Sequence, residues 1–186
     1  MRLFVAVNFD EEAKDRLENA ITDLKAAAVS GNFTLRENLH LTLAFIGETD
    51  RADAAKRALD AVKAAPFDFR ISGIGWFERR GEYLYWAGTQ DVPPLLALRR
   101  KVCAALAAQG FDIEDRKFKA HVTLGRRVIV PDGFDAGCVR APDAAVRVDR
   151  IGLMQSERVD GRLKYTRIYE KPLTLRETDE YAGPRG

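Results

Sequence analysis

The 186-residue chain is poor in the residues from which metal centres and disulfide frameworks are built, holding two cysteines and two histidines. Neither pair has zinc-ligand spacing, so no metal and no other cofactor is assigned. Cys103 falls on the apolar side of a helical pattern and Cys138 in a glycine-bearing loop, which predicts buried thiols and no disulfide. Charge of one sign is lacking as well. With 30 Lys and Arg against 28 Asp and Glu, the net charge of +2 is too small to name a partner. No apolar run approaches the roughly 18 residues of a membrane span. The start, Met1 to Phe9, is too briefly apolar for a secretory signal, and Asp10-Glu11-Glu12 follows at once. The expectation is a soluble, cytoplasmic, monomeric protein with no membrane partner. Hydrophobic residues at 46% and charged ones at 31% are near ordinary values, and the length suffices for one domain with a sizeable core.

Periodicity predicts alternating strands and helices. Residues 2 to 9 read as a buried strand, and Asp10 caps a helix of about 10 to 28 carrying Leu17, Ile21 and Leu24 at helical spacing. Gly31-Asn32 stops it, and residues 33 to 36 form a short extended piece. A strand over 39 to 46 is closed by Gly47, and a helix over 51 to 65 by Pro66. Residues 67 to 78 and 82 to 88 flank Gly81 as a hairpin. A helix over 92 to 109 ends at Gly110, and a strand follows over 119 to 128. Residues 130 to 137 form a turn-rich loop, and strands over 144 to 154 and 162 to 171 flank Asp160-Gly161. A flexible tail is expected over 176 to 186.

Each of the two histidines opens the same phrase, His40-Leu41-Thr42-Leu43 and His121-Val122-Thr123-Leu124. Side chains at i and i+2 of a strand share a face, so each phrase projects a His and a Thr together while Leu or Val packs behind. Shifting the chain by 81 positions places His40 on His121, Thr42 on Thr123, and Arg2 to Val7 on Tyr83 to Gly88. Ile74-Gly75 matches Ile151-Gly152 at a shift of 77. The reading is one two-lobed domain over 1 to 186, an internal repeat with starts near 2 and 83. Its class is α+β, two antiparallel sheets with outer helices, the histidine strands being equivalent central elements around a cleft. Two imidazoles, two hydroxyls and nearby arginine suit a reaction that needs one acid, one base and a held anion. A phosphodiester, above all a strained cyclic one, fits that set without a metal. Other basic runs, Arg79-Arg80, Arg99-Arg100-Lys101, and Arg116-Lys117 with Lys119, read either as solvated surface or as a phosphate-binding face.

The phrases Arg2-Leu3-Phe4-Val5-Ala6-Val7, Asn38 to Gly47 and His121-Val122-Thr123-Leu124-Gly125-Arg126 resemble the two-histidine phosphoesterases. Among these they look most like the RNA 2′,3′-cyclic phosphodiesterases, historically called 2′-5′ RNA ligases, and the resemblance covers nearly the whole chain. It implies a duplicated bilobal α+β fold that opens cyclic phosphate ends of RNA, or cyclic nucleotides, to the 2′-phosphate, with weak 2′-5′ ligation as a secondary activity. By that similarity His40 is the proton donor and His121 the acceptor. Thr42 and Thr123 hold non-bridging phosphate oxygens, and Arg126 is a phosphate ligand. Strict alternation from His121 would turn Arg127 inward, so the role of Arg126 requires Gly125 to break the pleat. Phe45, at the same spacing after His40, is either a base-stacking platform or a plain core aromatic. Two other readings keep the fold: a non-catalytic nucleotide or RNA binding module, and a scaffold with structural histidines.

Overall fold

The computed structural model describes residues 1–90, 93–113 and 118–174. The expected tail over 176 to 186 and the Arg116-Lys117 pair lie outside them. Strand β1 (Arg2–Asn8) is buried along Leu3 to Val7. Helix α1 (Glu11–Ala27) starts where the Asp10 carboxylate accepts from the Ala13 N–H at 2.9 Å, has Glu11 and Glu12 in its first turn, and buries Leu17, Ile21 and Leu24. There follow β2 (Ser30–Phe33), β3 (His40–Glu48), α2 (Ala52–Asp60), the hairpin β4 (Phe67–Arg79) and β5 (Glu82–Thr89), α3 (Pro93–Ala108), β6 (His121–Ile129), β7 (Asp143–Val148), and the hairpin β8 (Arg150–Val159) and β9 (Arg162–Pro172).

Several expectations need correction. Helix α2 stops at Asp60 instead of 65: the Ala61 N–H caps it on the Arg57 carbonyl, the Val62 N–H closes a tighter turn on the Leu59 carbonyl at 3.0 Å, and Val62 still enters the core. The single strand expected over 144 to 154 is two strands in different sheets, β7 and β8, parted at Asp149. The burial pattern changes there too, from alternating Ala144, Val146 and Val148 to the continuous buried run Ile151 to Met154. Cys138 is exposed and Cys103 half-buried, so neither thiol is fully buried as expected.

The two antiparallel sheets run β3-β1-β8-β9 and β2-β6-β5-β4-β7. β3 is an edge strand and β6 lies between β2 and β5, so the histidine strands are not equivalent central elements. The chain crosses between the sheets: β4, from the first half, pairs with β5, and β8, from the second, pairs with β1. α1 packs against β2, β6 and β7, while α3 packs against α2 and β3. One hydrophobic cluster runs through both sheets and all three helices, which makes the described residues one packed unit. No helix among them is long and apolar enough to cross a membrane.

Register sets what faces the cleft. Asn8 stands opposite His40 and Ala6 opposite Thr42; Gly88 stands opposite His121 and Trp86 opposite Thr123. The strands beside the histidine strands therefore correspond at a shift of 80, one less than the sequence comparison has it. Both histidine strands carry extra residues against their neighbour, at Leu43 and Ile46 in β3 and at Leu124 and within Arg126-Arg127 in β6. The second irregularity in β6 puts Arg127 at φ 51, in the left-handed region. The pleat after Thr123 is broken as the Arg126 role requires, through both Leu124 and the Arg126-Arg127 step.

Candidate active site

Each imidazole is oriented by the backbone just before its own strand. The His40 Nδ1 lies 2.7 Å from the Asn38 carbonyl oxygen, and the His121 Nδ1 lies 2.7 Å from that of Lys119. A carbonyl only accepts, so Nδ1 carries the hydrogen in both rings. Nε2 is left as the atom that takes or gives a proton. The Thr42 hydroxyl is 2.9 Å from the His40 Nε2 and donates to it when the ring is neutral. On the other strand the Arg126 Nη2 donates to the Thr123 Oγ1 at 3.4 Å, which places the guanidinium on the His-Thr face in spite of strict alternation.

All six residues expected at the site lie on β3 and β6. His40, Thr42, His121 and Thr123 are half-buried, and Arg126 is exposed. Phe45 is 56% exposed and sits 5.9 Å from the Phe4 ring centroid, so it is not a plain core aromatic. The charges also meet. Burial, opposed by the Asn38 carbonyl, and then the positive charges of Arg126 and His121 push the His40 pKa down to about 4. Among the described residues no group of three or more His, Cys, Asp or Glu side chains is placed to hold a metal ion.

Sequence reasoning assigned no role to Asn38 or Tyr165. Asn38 is the only buried polar side chain among the described residues. Its Nδ2 donates to the Leu163 carbonyl at 2.8 Å, and its Oδ1 accepts from the Tyr165 N–H at 3.0 Å. The amide thus ties the residue whose carbonyl orients His40 to the backbone of β9, which pairs elsewhere only with β8. The Tyr165 ring meets His40 edge-on at 5.1 Å and Phe4 at 5.0 Å, closing one side of the imidazole. A lone Asn beside a strand carries no periodic signal, so only the fold reveals this.

Two histidine-threonine pairs on β3 and β6 of a two-sheet α+β fold define the class, and comparison with known proteins agrees. The chain belongs to the 2′-5′ RNA ligase superfamily, whose family model matches residues 13–160. It is 30% identical over 177 residues, 91% of this chain and 94% of the relative, to the RNA 2′,3′-cyclic phosphodiesterase of Thermotoga maritima. It is 35% identical over 130 residues, 68% of this chain and 72% of the relative, to that of Archaeoglobus fulgidus. Among solved structures it is similar to TT0787 of Thermus thermophilus, with a TM-score of 0.75 at 28% identity covering 93% of this chain and 98% of the other. It is also similar to Escherichia coli LigT complexed with 3′-AMP, with a TM-score of 0.73 at 25% identity covering 94% and 98%.

Two outcomes follow from the geometry around His40. Because its folded pKa lies below the ordinary 6.5, the unfolded chain binds the proton more readily; its contribution to stability is whole above about pH 6.5 and declines as pH falls towards about 4. Denaturant melts across that range show the decline, and His40→Gln flattens it. Asn38→Ala strands the Leu163 carbonyl and the Tyr165 N–H, and is expected to cost about 2 kcal/mol. Chemical denaturation measures this; a cost below about 0.5 kcal/mol would mean that β9 is not held through Asn38.

Proposed function

We propose that the chain hydrolyses RNA ends, or small nucleotides, bearing a 2′,3′-cyclic phosphate, leaving a 2′-phosphate, by acid-base catalysis between His40 and His121. The observation that carries this reading is the pair of imidazoles with Nδ1–H tied to backbone and Nε2 available, each on a strand with a threonine, and with Arg126 on one of them. The names of the relatives support the substrate class. The residues suffice without a cofactor. His121 Nε2 takes a proton from water as its oxygen bonds to phosphorus; the bond from phosphorus to the ribose 3′-oxygen breaks, and that oxygen receives a proton from His40 Nε2. Each well-placed group of this kind contributes roughly 10²- to 10⁴-fold. Thr42, Thr123 and Arg126 hold the non-bridging oxygens, where fixed donors stabilise the charge that develops. Phe45, exposed beside the site, stacks on a base. A 5′-hydroxyl in place of water gives weak 2′-5′ ligation. All of these groups belong to one chain, in keeping with a monomer, and an RNA substrate accords with a cytoplasmic location.

We also read the fold as a duplication of one unit starting near 2 and 83. Its support is the matching irregularities of β3 and β6 and the like surroundings of β1 and β5, each between a histidine strand and a strand from the other half.

One observation favours the reverse assignment of the two histidines. A His40 with its pKa pushed to about 4 is neutral at pH 7 and ready to accept a proton. It can donate only if the negative charge of the bound phosphate raises that pKa against the burial that chiefly lowers it, as well as against Arg126 and His121. The product isomer separates the two assignments. An oligonucleotide ending in a cyclic phosphate, incubated with EDTA and followed by phosphorus NMR, is expected to yield the 2′-phosphate. A dominant 3′-phosphate reverses acid and base. His40→Ala and His121→Ala are each expected to lose at least about a hundredfold in kcat while staying folded. Saturable binding without turnover by the unaltered protein would favour the binding module instead.

A further inference from the structure

The halves of the site differ most beside the histidines. Next to His40 the paired residue is Asn8, whose side chain reaches the Met154 sulfur at 3.7 Å, and next to Thr42 it is Ala6. Next to His121 the paired residue is Gly88, and next to Thr123 it is Trp86. A Cβ at Gly88 would come within 2.9 Å of the Ser72 carbonyl oxygen and 3.3 Å of the indole, so no side chain can fill this place without moving backbone. An extra residue in β4 at Ser72-Gly73, with Gly73 at φ 73, sets that close approach.

The result is a cavity of about 390 Å³ beside His121. Trp86, Phe118, Ile74, Leu95 and Leu96 give it apolar walls; Ser72, Thr89 and Gln90 give it polar groups. Lys119, which also lines it, holds its ammonium 3.9 Å from the Trp86 ring centroid and 5.7 Å from that of Phe77, itself 49% exposed. The first half, with Asn8 and Ala6 in the matching places, lacks the glycine and the indole that shape this space.

We propose that this cavity is a second nucleoside subsite, taking the base of the nucleotide 5′ to the one that bears the cyclic phosphate. The substrate, though not the cavity, rests on the phosphodiesterase reading above. Aromatic and aliphatic walls with a few hydrogen-bonding groups suit a planar, polar-edged base, and the volume is in the range of small-ligand sites. Lys119 adds a positive charge for the internucleotide phosphate that joins this base to the reacting end. Arg126 and Phe45 lie further along the strands, past the threonines, so the cavity extends the site on the histidine side.

The test compares a 2′,3′-cyclic mononucleotide with a dinucleotide ending in the same cyclic phosphate. The dinucleotide is expected to show a kcat/KM roughly tenfold to a hundredfold higher, the scale of one base contact. Leu96→Tyr, which narrows the cavity from the surface of α3, is expected to bring that ratio close to one. Separately, Trp76→Phe leaves Trp86 as the only tryptophan. Titration with a plain dinucleoside monophosphate, which has no cyclic ester, is then expected to change its fluorescence saturably, and Leu96→Tyr to abolish the change. Equal kcat/KM for the two cyclic substrates, with no fluorescence response, overturns the subsite. Saturable fluorescence with no turnover of any cyclic ester leaves the subsite standing and overturns the phosphodiesterase reading.

Discussion

Everything in this site depends on one local hydrogen bond made twice, from a histidine Nδ1–H to the carbonyl two residues earlier. The bond itself is worth only about 1 kcal/mol. Its consequence is geometric, because it settles the tautomer and leaves Nε2 as the nitrogen without a hydrogen in the neutral ring. A ring without it would be free to turn over, and either nitrogen would face a substrate part of the time. The carbonyls must then be held in turn. Asn38 is held by its amide on the backbone of β9, whereas the Lys119 side chain crosses the Trp86 face instead.

The exchange of hairpin strands explains why the two sets of residues stay together. β8 supplies the inner neighbour of β1, and β4 that of β5, so neither half can complete a sheet alone. One large hydrophobic cluster runs through both. The shared extra residues in β3 and β6 then turn Phe45 and Arg126 to the face already carrying His and Thr. Around the two histidine strands the halves differ at three pairs of positions: Asn8 against Gly88, Ala6 against Trp86, and Phe45 against Arg126. His40 packs against Phe4 and Tyr165, and this burial, followed by the positive charges of Arg126 and His121, lowers its pKa.

Much of this was legible in the chain because strand periodicity and histidine scarcity reinforce each other. Two His-x-Thr phrases among apolar residues specify both a strand and the face it presents, and the glycine and proline stops bounded most elements to within a residue or two. What escaped was set by partners distant in sequence. The break at Asp149 separates two sheets, yet residues 144 to 154 are all compatible with extended backbone. His40 and His121 are 81 residues apart, but the residues that pair with them, Asn8 and Gly88, are 80 apart, a difference that only cross-strand pairing shows. Asn38 and Gly88 matter through β9 and β4, which no local pattern reveals.

The central claim is that two imidazoles act in opposite protonation states. The most direct measurement is the pH dependence of kcat/KM on a cyclic nucleotide, with the chemical step shown to be rate-limiting. The account predicts a bell, its acid limb set by protonation of the base and its alkaline limb by loss of the acid's proton, with apparent pKa values belonging to the pair. A profile that stays flat between about pH 5 and 9, where histidines ordinarily titrate, would contradict it.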